Sequence, residues 1–278
     1  MISEIGTRRE LFVDRSLIAW MEGAALKMHH PVSAGVALRF DEPWARSSAG
    51  YGTVLLDRGR SRFTYRKTFD VTGSDDSVHQ VTCYAESDDG ITWHKPDLGL
   101  YEVGGTRHNN VVWAGLGPTS HNFAPFVDQR PGVPSEQRYK ALAGTQTTGL
   151  LGFASPDGIH WQPLQDAPLL PSIDGVYRYD SQNVAFWSAH EGCYACYFRS
   201  WRDKVRTISR STSDDYLHWS PAQEMDFGET LLEHLYINQT HPYYRAPHIY
   251  VALAARFMPG RKVLSDAEGR LYNAVSYT

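Results

Sequence analysis

SDDGITW at residues 87–93 returns as SPDGIHW at residues 155–161 and as SDDYLHW at residues 213–219. The shared form is Ser-x-Asp-(Gly or Tyr)-(Ile or Leu)-(Thr or His)-Trp. Each copy follows a run of small, aromatic and β-branched residues, VTCYAES, GLLGFAS and RTISRSTS, of the kind that favours strands. Ser and Asp side chains close tight turns on their own backbone, and Gly90 and Gly158 supply the positive φ such turns use. The chain leaves each turn as a further strand, with the Trp covering the turn. The unit is therefore a hairpin with an aromatic lid. Three copies in one register, some tens of residues apart, predict an array of similar sheets.

Reading outward from the turns, each is the third junction in a round of four strand-like pieces. The first round is YGTVLLD, SRFTYRK, VHQVTCYAES and ITWHKP. The second is HNFAPFVD, RYKALAG, GLLGFAS and IHWQPL, and the third is DSQNVAFWS, GCYACYFRS, VRTISRSTS and LHWSP. A fourth opens with LYINQTHPYYR and HIYVALAARF but reaches only NAVSYT. First strands begin near Tyr51, Asn122, Gln182 and Ile237. Residues 1–45 form an N-terminal segment that holds LFVDRSLIAW and the turn-like FDEPW and is a source of one further strand. The nearest approach to a helix is residues 229–236.

Four-stranded antiparallel units repeated in sequence are what an all-β propeller needs, because each blade buries its faces only against its neighbours. The expectation is one propeller domain over residues 1–278, with blades starting near 50, 121, 181 and 236. A five-bladed ring would be cut off after most of blade four and would expose a strand edge that invites pairing with another chain. A closed four-bladed ring is the alternative, and the oligomeric state is left open.

With 278 residues, 42% of them hydrophobic, the chain has enough apolar mass for a single large core. The 27 basic and 31 acidic residues form no long run of either sign, which argues against a nucleic-acid surface or a membrane-surface helix. No apolar stretch approaches a membrane span, and MISEIGTRRELF lacks a signal peptide's pattern. The chain as written reads as cytoplasmic, or as secreted or periplasmic if a leader precedes it. Cys193 and Cys196 form a CxxC on a strand, where residues three apart point to opposite faces, so no metal or redox site is expected from them. His234, His241 and His248 fall in different local structures and give no metal site either. No cofactor is implied.

The succession GYGTVLLD, YAESDDGITWHKPDLGLYE, HNFAPFVD, RYKALAG, SPDGIHWQ, YDSQNVAFW, DDYLHWS and EHLYINQTHPYYRAPHIY resembles the five-bladed propeller proteins related to glycoside hydrolase families 43 and 32. The resemblance runs from Leu11 onward. It implies a carbohydrate partner and three carboxylates, each near the first strand of a different blade, facing a central funnel. Glycosidic cleavage uses one carboxylic acid to protonate the leaving oxygen and a second to activate water or attack the sugar. On the matching positions Asp180, just before SQNVAFW, is the first catalytic candidate. Glu233, before LYINQTHPYY, is the second, and Asp14 in LFVDRSLI is a third.

Blade two opens Ser120-His121-Asn122 and blade one Ser48-Ala49-Gly50-Tyr51, neither with an acid. Asp41 and Glu42 in FDEPW are the other acids near blade one. The departure leaves sugar binding better supported than cleavage. Tyr51, His121, Asn122, Gln182, Asn183, His234 and Asn238 are the expected sugar contacts. Arg178, Arg199 and Arg245 lie near inner-strand ends, where they suit an anionic sugar or phosphate, or equally salt bridges at blade edges. The expected function is that of a glycoside hydrolase. A glycoside phosphorylase, or a propeller that binds a glycan or a protein without catalysis, are the alternatives.

Overall fold

The computed structural model describes residues 4–45, 49–69, 79–115, 117–261 and 265. Ser48 and the NAVSYT stretch lie outside them. The chain is an all-β propeller built of four-stranded antiparallel blades. Blade one is β1 (Gly50–Asp57), β2 (Arg60–Thr68), β3 (Gln80–Ser87) and β4 (Val111–Trp113). Blade two is β5 (Ala124–Val127), β6 (Tyr139–Thr145), β7 (Gly149–Ser155) and β8 (Gln162–Pro163). Blade three is β9 (Val184–Ser188), β10 (Cys193–Arg202), β11 (Val205–Ser213) and β12 (Gln223–Glu224). A fourth unit holds two two-stranded ladders, β13 (His234–Leu235) with β16 (Arg256–Phe257) and β14 (His241–Tyr243) with β15 (Ala246–Val251). First strands lie side by side in chain order, β1 against β5, β5 against β9 and β9 against β14. That order surrounds a common axis.

The signature turns all follow third strands. The fourth strand comes directly after the turn in blade two, a few residues on in blade three, and in blade one only at Val111. ITWHKP, expected as that strand, makes a single bridge at His94 instead. Ser87, Ser155 and Ser213 are the last residues of β3, β7 and β11. Each Oγ accepts the amide three residues on, from Gly90 at 2.8 Å, Gly158 at 2.9 Å and Tyr216 at 2.8 Å. Each Asp Oδ1 then takes the next two amides, so that Asp89 holds Ile91 at 2.8 Å and Thr92 at 2.7 Å. Asp157 and Asp215 do the same for Ile159 and His160, and for Leu217 and His218. Tyr216 replaces the glycine of the other copies and adopts φ 74° itself. The tryptophan indoles of two copies donate back into their turns, Trp161 to the Gly158 carbonyl at 3.1 Å and Trp219 to that of Tyr216 at 2.8 Å. Trp93 packs edge-on against Phe63 instead.

Hairpins elsewhere follow their own chemistry. Arg58 and Gly59 between β1 and β2, and Asp203 and Lys204 between β10 and β11, all take positive φ, the two-residue turn whose twist matches the flanking strands. Residues 229–236, the nearest sequence to a helix, contain β13 instead. Its backbone is taken by the ladder that pairs His234 with Phe257 and Leu235 with Arg256. No strand forms among residues 4–45. First strands also begin a few residues later than the sequence patterns suggest in blades two to four, because the residues before them make side-chain contacts rather than ladder bonds.

Cores lie between successive sheets, as a propeller requires. Tyr84, Trp113, Phe123, Phe153 and Trp161 fill the space between blades one and two. Phe126, Leu142, Tyr194, Phe198 and Tyr216 fill that between two and three, and Phe186, Tyr197 and Tyr250 that between three and four. A hydrogen bond repeats at each interface, from a tyrosine hydroxyl to an acceptor at the end of the preceding inner strand. Tyr139 donates to Asp57 at 2.5 Å, Tyr194 to Asp128 at 2.6 Å and Tyr250 to Ser188 at 2.5 Å. The other face of blade one is covered by the N-terminal segment through Leu38 and Trp44. There buried Glu42 accepts from Tyr65 at 2.6 Å and pairs with Lys95 at 2.8 Å and Lys67 at 3.2 Å. Burial alone would raise its carboxyl, but these partners outweigh burial and hold it low.

Candidate functional site

The approach to β9 is the most constrained backbone at the funnel. Tyr179 stands there at φ 65°, the left-handed region, and immediately precedes Asp180. For a residue with a side chain this costs about 1–2 kcal/mol, so something must hold it. The holding groups are two buried amides. Asn122 Nδ2 donates to the Tyr179 and Ser181 carbonyls, both at 3.0 Å, while its Oδ1 accepts the Gly144 amide at 2.9 Å. Asn183 Nδ2 donates to the Ser181 carbonyl at 2.7 Å, and its Oδ1 accepts the Arg199 amide at 3.3 Å. Tyr179 N closes the turn on the Arg199 carbonyl at 3.1 Å. Asn122 and Asn183, expected as sugar contacts, thus spend their amides on backbone. Asn238 does likewise with the Tyr197 carbonyl and Thr240.

Asp180 emerges from this turn half-exposed. Its Oδ2 lies 3.6 Å from Arg199 Nη1. Burial, and then the charge of Asp180 beside it, push the Tyr177 hydroxyl up to about 12. Arg199, on β10, is buried and lies with its guanidinium 4.8 Å from the Tyr236 ring centre. Burial lowers its pKa, while the charge of Asp180 works in the opposite direction. Arg206, on β11, stacks over Trp201 at 4.8 Å and Tyr236 at 5.5 Å.

Gln182 lies at the axis. Its Nε2 donates to Thr53 Oγ1 on β1 at 2.7 Å, and its Oε1 accepts from Gln239 at the start of unit four. It therefore ties three blades together and is fully buried. On the blade-one side Tyr51 takes φ 48°, and the Arg66 guanidinium stacks on its ring at 4.6 Å. His121 packs edge-on against the same ring, with Nδ1 2.9 Å from Gln80 Oε1. Arg66 donates to the His121 carbonyl at 3.3 Å. Arg66 Nη1 lies 3.3 Å from the same Nδ1.

His234 Nδ1 accepts the Arg206 amide at 3.1 Å, so this nitrogen carries no proton. Burial, then the Arg206 and Arg199 charges, lower its pKa and keep the ring neutral. Glu233 is bound to Arg256 across the β13–β16 ladder. Asp14 sits on the exposed N-terminal segment, where its carboxylate accepts the Ser16 amide at 2.8 Å; those bonds to Ser16 lower its pKa. Among the described residues no hydrogen bond or ion pair joins Glu233 or Asp14 to Asp180. Around Asp180 the structure brings together Tyr177, Arg199, Arg206, Trp201, Tyr236 and His234. Of these, His234 was an expected sugar contact, and Arg199 was expected to suit an anionic sugar or phosphate, or equally a salt bridge at a blade edge. Arg206 and Tyr236 carry no sequence signal. Arg199 had one, an expected place near an inner-strand end, although the structure puts it on β10, the second strand of blade three.

Among the described residues no group of three His, Cys, Asp or Glu side chains is gathered as for a metal ion, and no helix is long and apolar enough to cross a membrane.

No family model and no curated protein matches the chain. Solved structures similar to it include glycoside hydrolases. A structure of BT0996 in an RGII complex aligns with TM-score 0.49 and 14% identity, over 74% of this chain and 65% of that one. The family 117 glycoside hydrolase Zg3597 of the marine bacterium Zobellia galactanivorans aligns with TM-score 0.45 and 13% identity, over 74% and 63%. The α-L-arabinanase of Penicillium chrysogenum, complexed with arabinobiose, aligns with TM-score 0.45 and 16% identity, over 69% and 54%. The chain thus spans less than two thirds of the length of each of these structures.

Proposed function

We propose that the chain is a carbohydrate-active protein that holds a sugar at the funnel mouth beside Asp180. The observation that carries this reading is the Asp180 turn itself. A left-handed tyrosine fixed by two buried asparagines presents one half-exposed carboxylate among aromatic rings and arginines. Backbone strain kept in place by its surroundings clusters at functional sites. Binding sites combine a few fixed polar groups with aromatic walls, and here Tyr51, Tyr177, Trp201 and Tyr236 are the rings within the cluster.

Glycan binding is what the geometry supports best, because cleavage needs a second carboxyl about 5–5.5 Å away for retention or about 6.5–9.5 Å for inversion. Glu233 is instead engaged by Arg256. Glycoside hydrolysis is the second reading, favoured by Asp180 standing exposed at the mouth rather than buried in a blade contact. The test is a screen of aryl-glycosides and plant and microbial polysaccharides for binding and turnover, with Asp180→Asn beside the unaltered protein. Turnover that Asp180→Asn abolishes at unchanged melting temperature supports hydrolysis. Binding without turnover supports the binding reading, and absence of both with every sugar refutes the proposal.

A further inference from the structure

Resting on that sugar-binding reading, we infer that the sugar carries a carboxylate and that Arg199 receives it. The backbone of Arg199 is locked on both sides, its amide to Asn183 Oδ1 and its carbonyl to the Tyr179 amide. Its side chain is 1% exposed. It lies against Asp180 of blade three and Tyr236 at the start of unit four, with Tyr51 of blade one and Arg206 on β11 close enough to act on its charge. Neighbours from three units place the guanidinium at the axis and not in a blade edge.

Both terminal nitrogens, Nη1 and Nη2, lack a hydrogen-bond partner. The Asp180 carboxylate, 3.6 Å from Nη1, is close enough to attract but too far to bond. Buried donors are almost always partnered, so an unpartnered fork is an exception that a ligand oxygen pair resolves. Trp201 Nε1 and Arg206 Nε, in the same cluster, are also buried without partners.

The local charge has the matching sign. Arg66 on Tyr51, Arg199 and Arg206 on Tyr236 are gathered here with the Asp180 carboxylate, and Glu233 is neutralised by Arg256. The formal net charge of −4 gives the whole chain no attraction for anions, so the preference is built locally. Two nitrogens of one planar fork match the two oxygens of a carboxylate in parallel hydrogen bonds, which a lysine cannot supply.

The experiment is titration calorimetry of the whole chain at low salt. The probes are galacturonate, glucuronate and mannuronate oligosaccharides, their methyl esters, and a sulfated oligosaccharide of equal length. At least one uronate is expected to bind about tenfold or more tighter than its own ester, a preference of at least about 1.4 kcal/mol. Arg199→Lys, which keeps the charge and loses the fork, is expected to bring acid and ester to within about twofold, with the melting curve showing that the variant folds. Equal affinity of acid and ester in the unaltered protein overturns the inference and leaves the sugar reading standing. A sulfated ligand that binds as tightly as the best uronate overturns the carboxylate assignment. Failure of every acid and every ester to bind overturns the inference, the sugar reading itself falling only if the wider polysaccharide screen fails as well. Because the acid–ester comparison is made on the unaltered protein, it decides the matter even if Arg199→Lys does not fold.

Discussion

Asp128→Ala removes the counter-charge of a fully buried lysine between blades two and three. Asp128 and Lys140 have side-chain exposures of 0% and 2% and form an ion pair. The same carboxylate accepts the Tyr194 hydroxyl at 2.6 Å and the Arg130 amide at 2.9 Å. Burial already lowers the pKa of Lys140, with Asp128 working against that shift. Without Asp128 the ammonium keeps only the faces of Tyr194 and Tyr216, each 5.6 Å away. Those contacts exist in the unaltered protein too, so they offset nothing. Breaking a buried pair from one side costs about 3–5 kcal/mol. At about 2–4 °C per kcal/mol for a chain of this size, the melting temperature should fall by about 10 °C. Circular dichroism melts at pH 7 and pH 9.5 provide the assay.

The pH arm has a definite sign. A lysine whose folded pKa lies below its unfolded value binds fewer protons in the folded state within that window, so stability rises with pH there. The deficit of Asp128→Ala should therefore narrow at pH 9.5. Asp128→Leu with Lys140→Met, which replaces both charges with apolar volume, should recover about half of the loss or more, the residue being the stranded Tyr194 hydroxyl. A single variant that melts within about 2 °C of the unaltered protein, or a double variant no better than the single, would overturn this account.

Tyr139→Phe deletes one of the repeated ties between blades and should cost about 1.5–3 kcal/mol in urea unfolding, because its acceptor Asp57 is a carboxylate. Gly144→Ala, at φ +142°, drives a Cβ into the Gly149 carbonyl oxygen, so the β6–β7 hairpin must shift; a loss above about 2 kcal/mol is expected by the same assay. Asp89, with its carboxyl held down to about 2 by the Thr92 and Ile91 amides and Ser87, is lowered relative to the unfolded chain. Its contribution is thus present above the unfolded value and lost as pH falls through about 2, so the stability gap between the unaltered protein and Asp89→Asn should be flat near neutrality and shrink in acid. A gap that widens in acid would contradict the turn geometry.

The turns could be read from the sequence because everything that makes them is local. Ser87, Ser155 and Ser213 bond amides two and three residues away, and Asp89, Asp157 and Asp215 repeat the step. A contact that closes within three residues leaves its signature in consecutive letters, and the regular spacing of those letters carried the blade order with it. Asp180 was visible in the letters as an acid just before SQNVAFW, four residues ahead of the start of β9. Its environment was not. Asn122 looked like a sugar contact because an amide at a strand entrance suits either a ligand or a backbone carbonyl, and only the approach of blade three to blade two supplies the Tyr179 and Ser181 carbonyls that claim it.

Gln182 reaches Thr53 of blade one and Gln239 of unit four through the same convergence on the axis. Glu233 was placed by its nearness to a strand, but its partner Arg256 arrives on β16, and the ladder between them sets the direction of the carboxylate. Arg199 shows the division most clearly. The letters alone put an arginine near an inner-strand end, suited to an anionic ligand or equally to a salt bridge at a blade edge. That its fork would end at the axis with both nitrogens buried and unpartnered depended on three units closing around it, because burial and partnership belong to the assembled space and not to the chain.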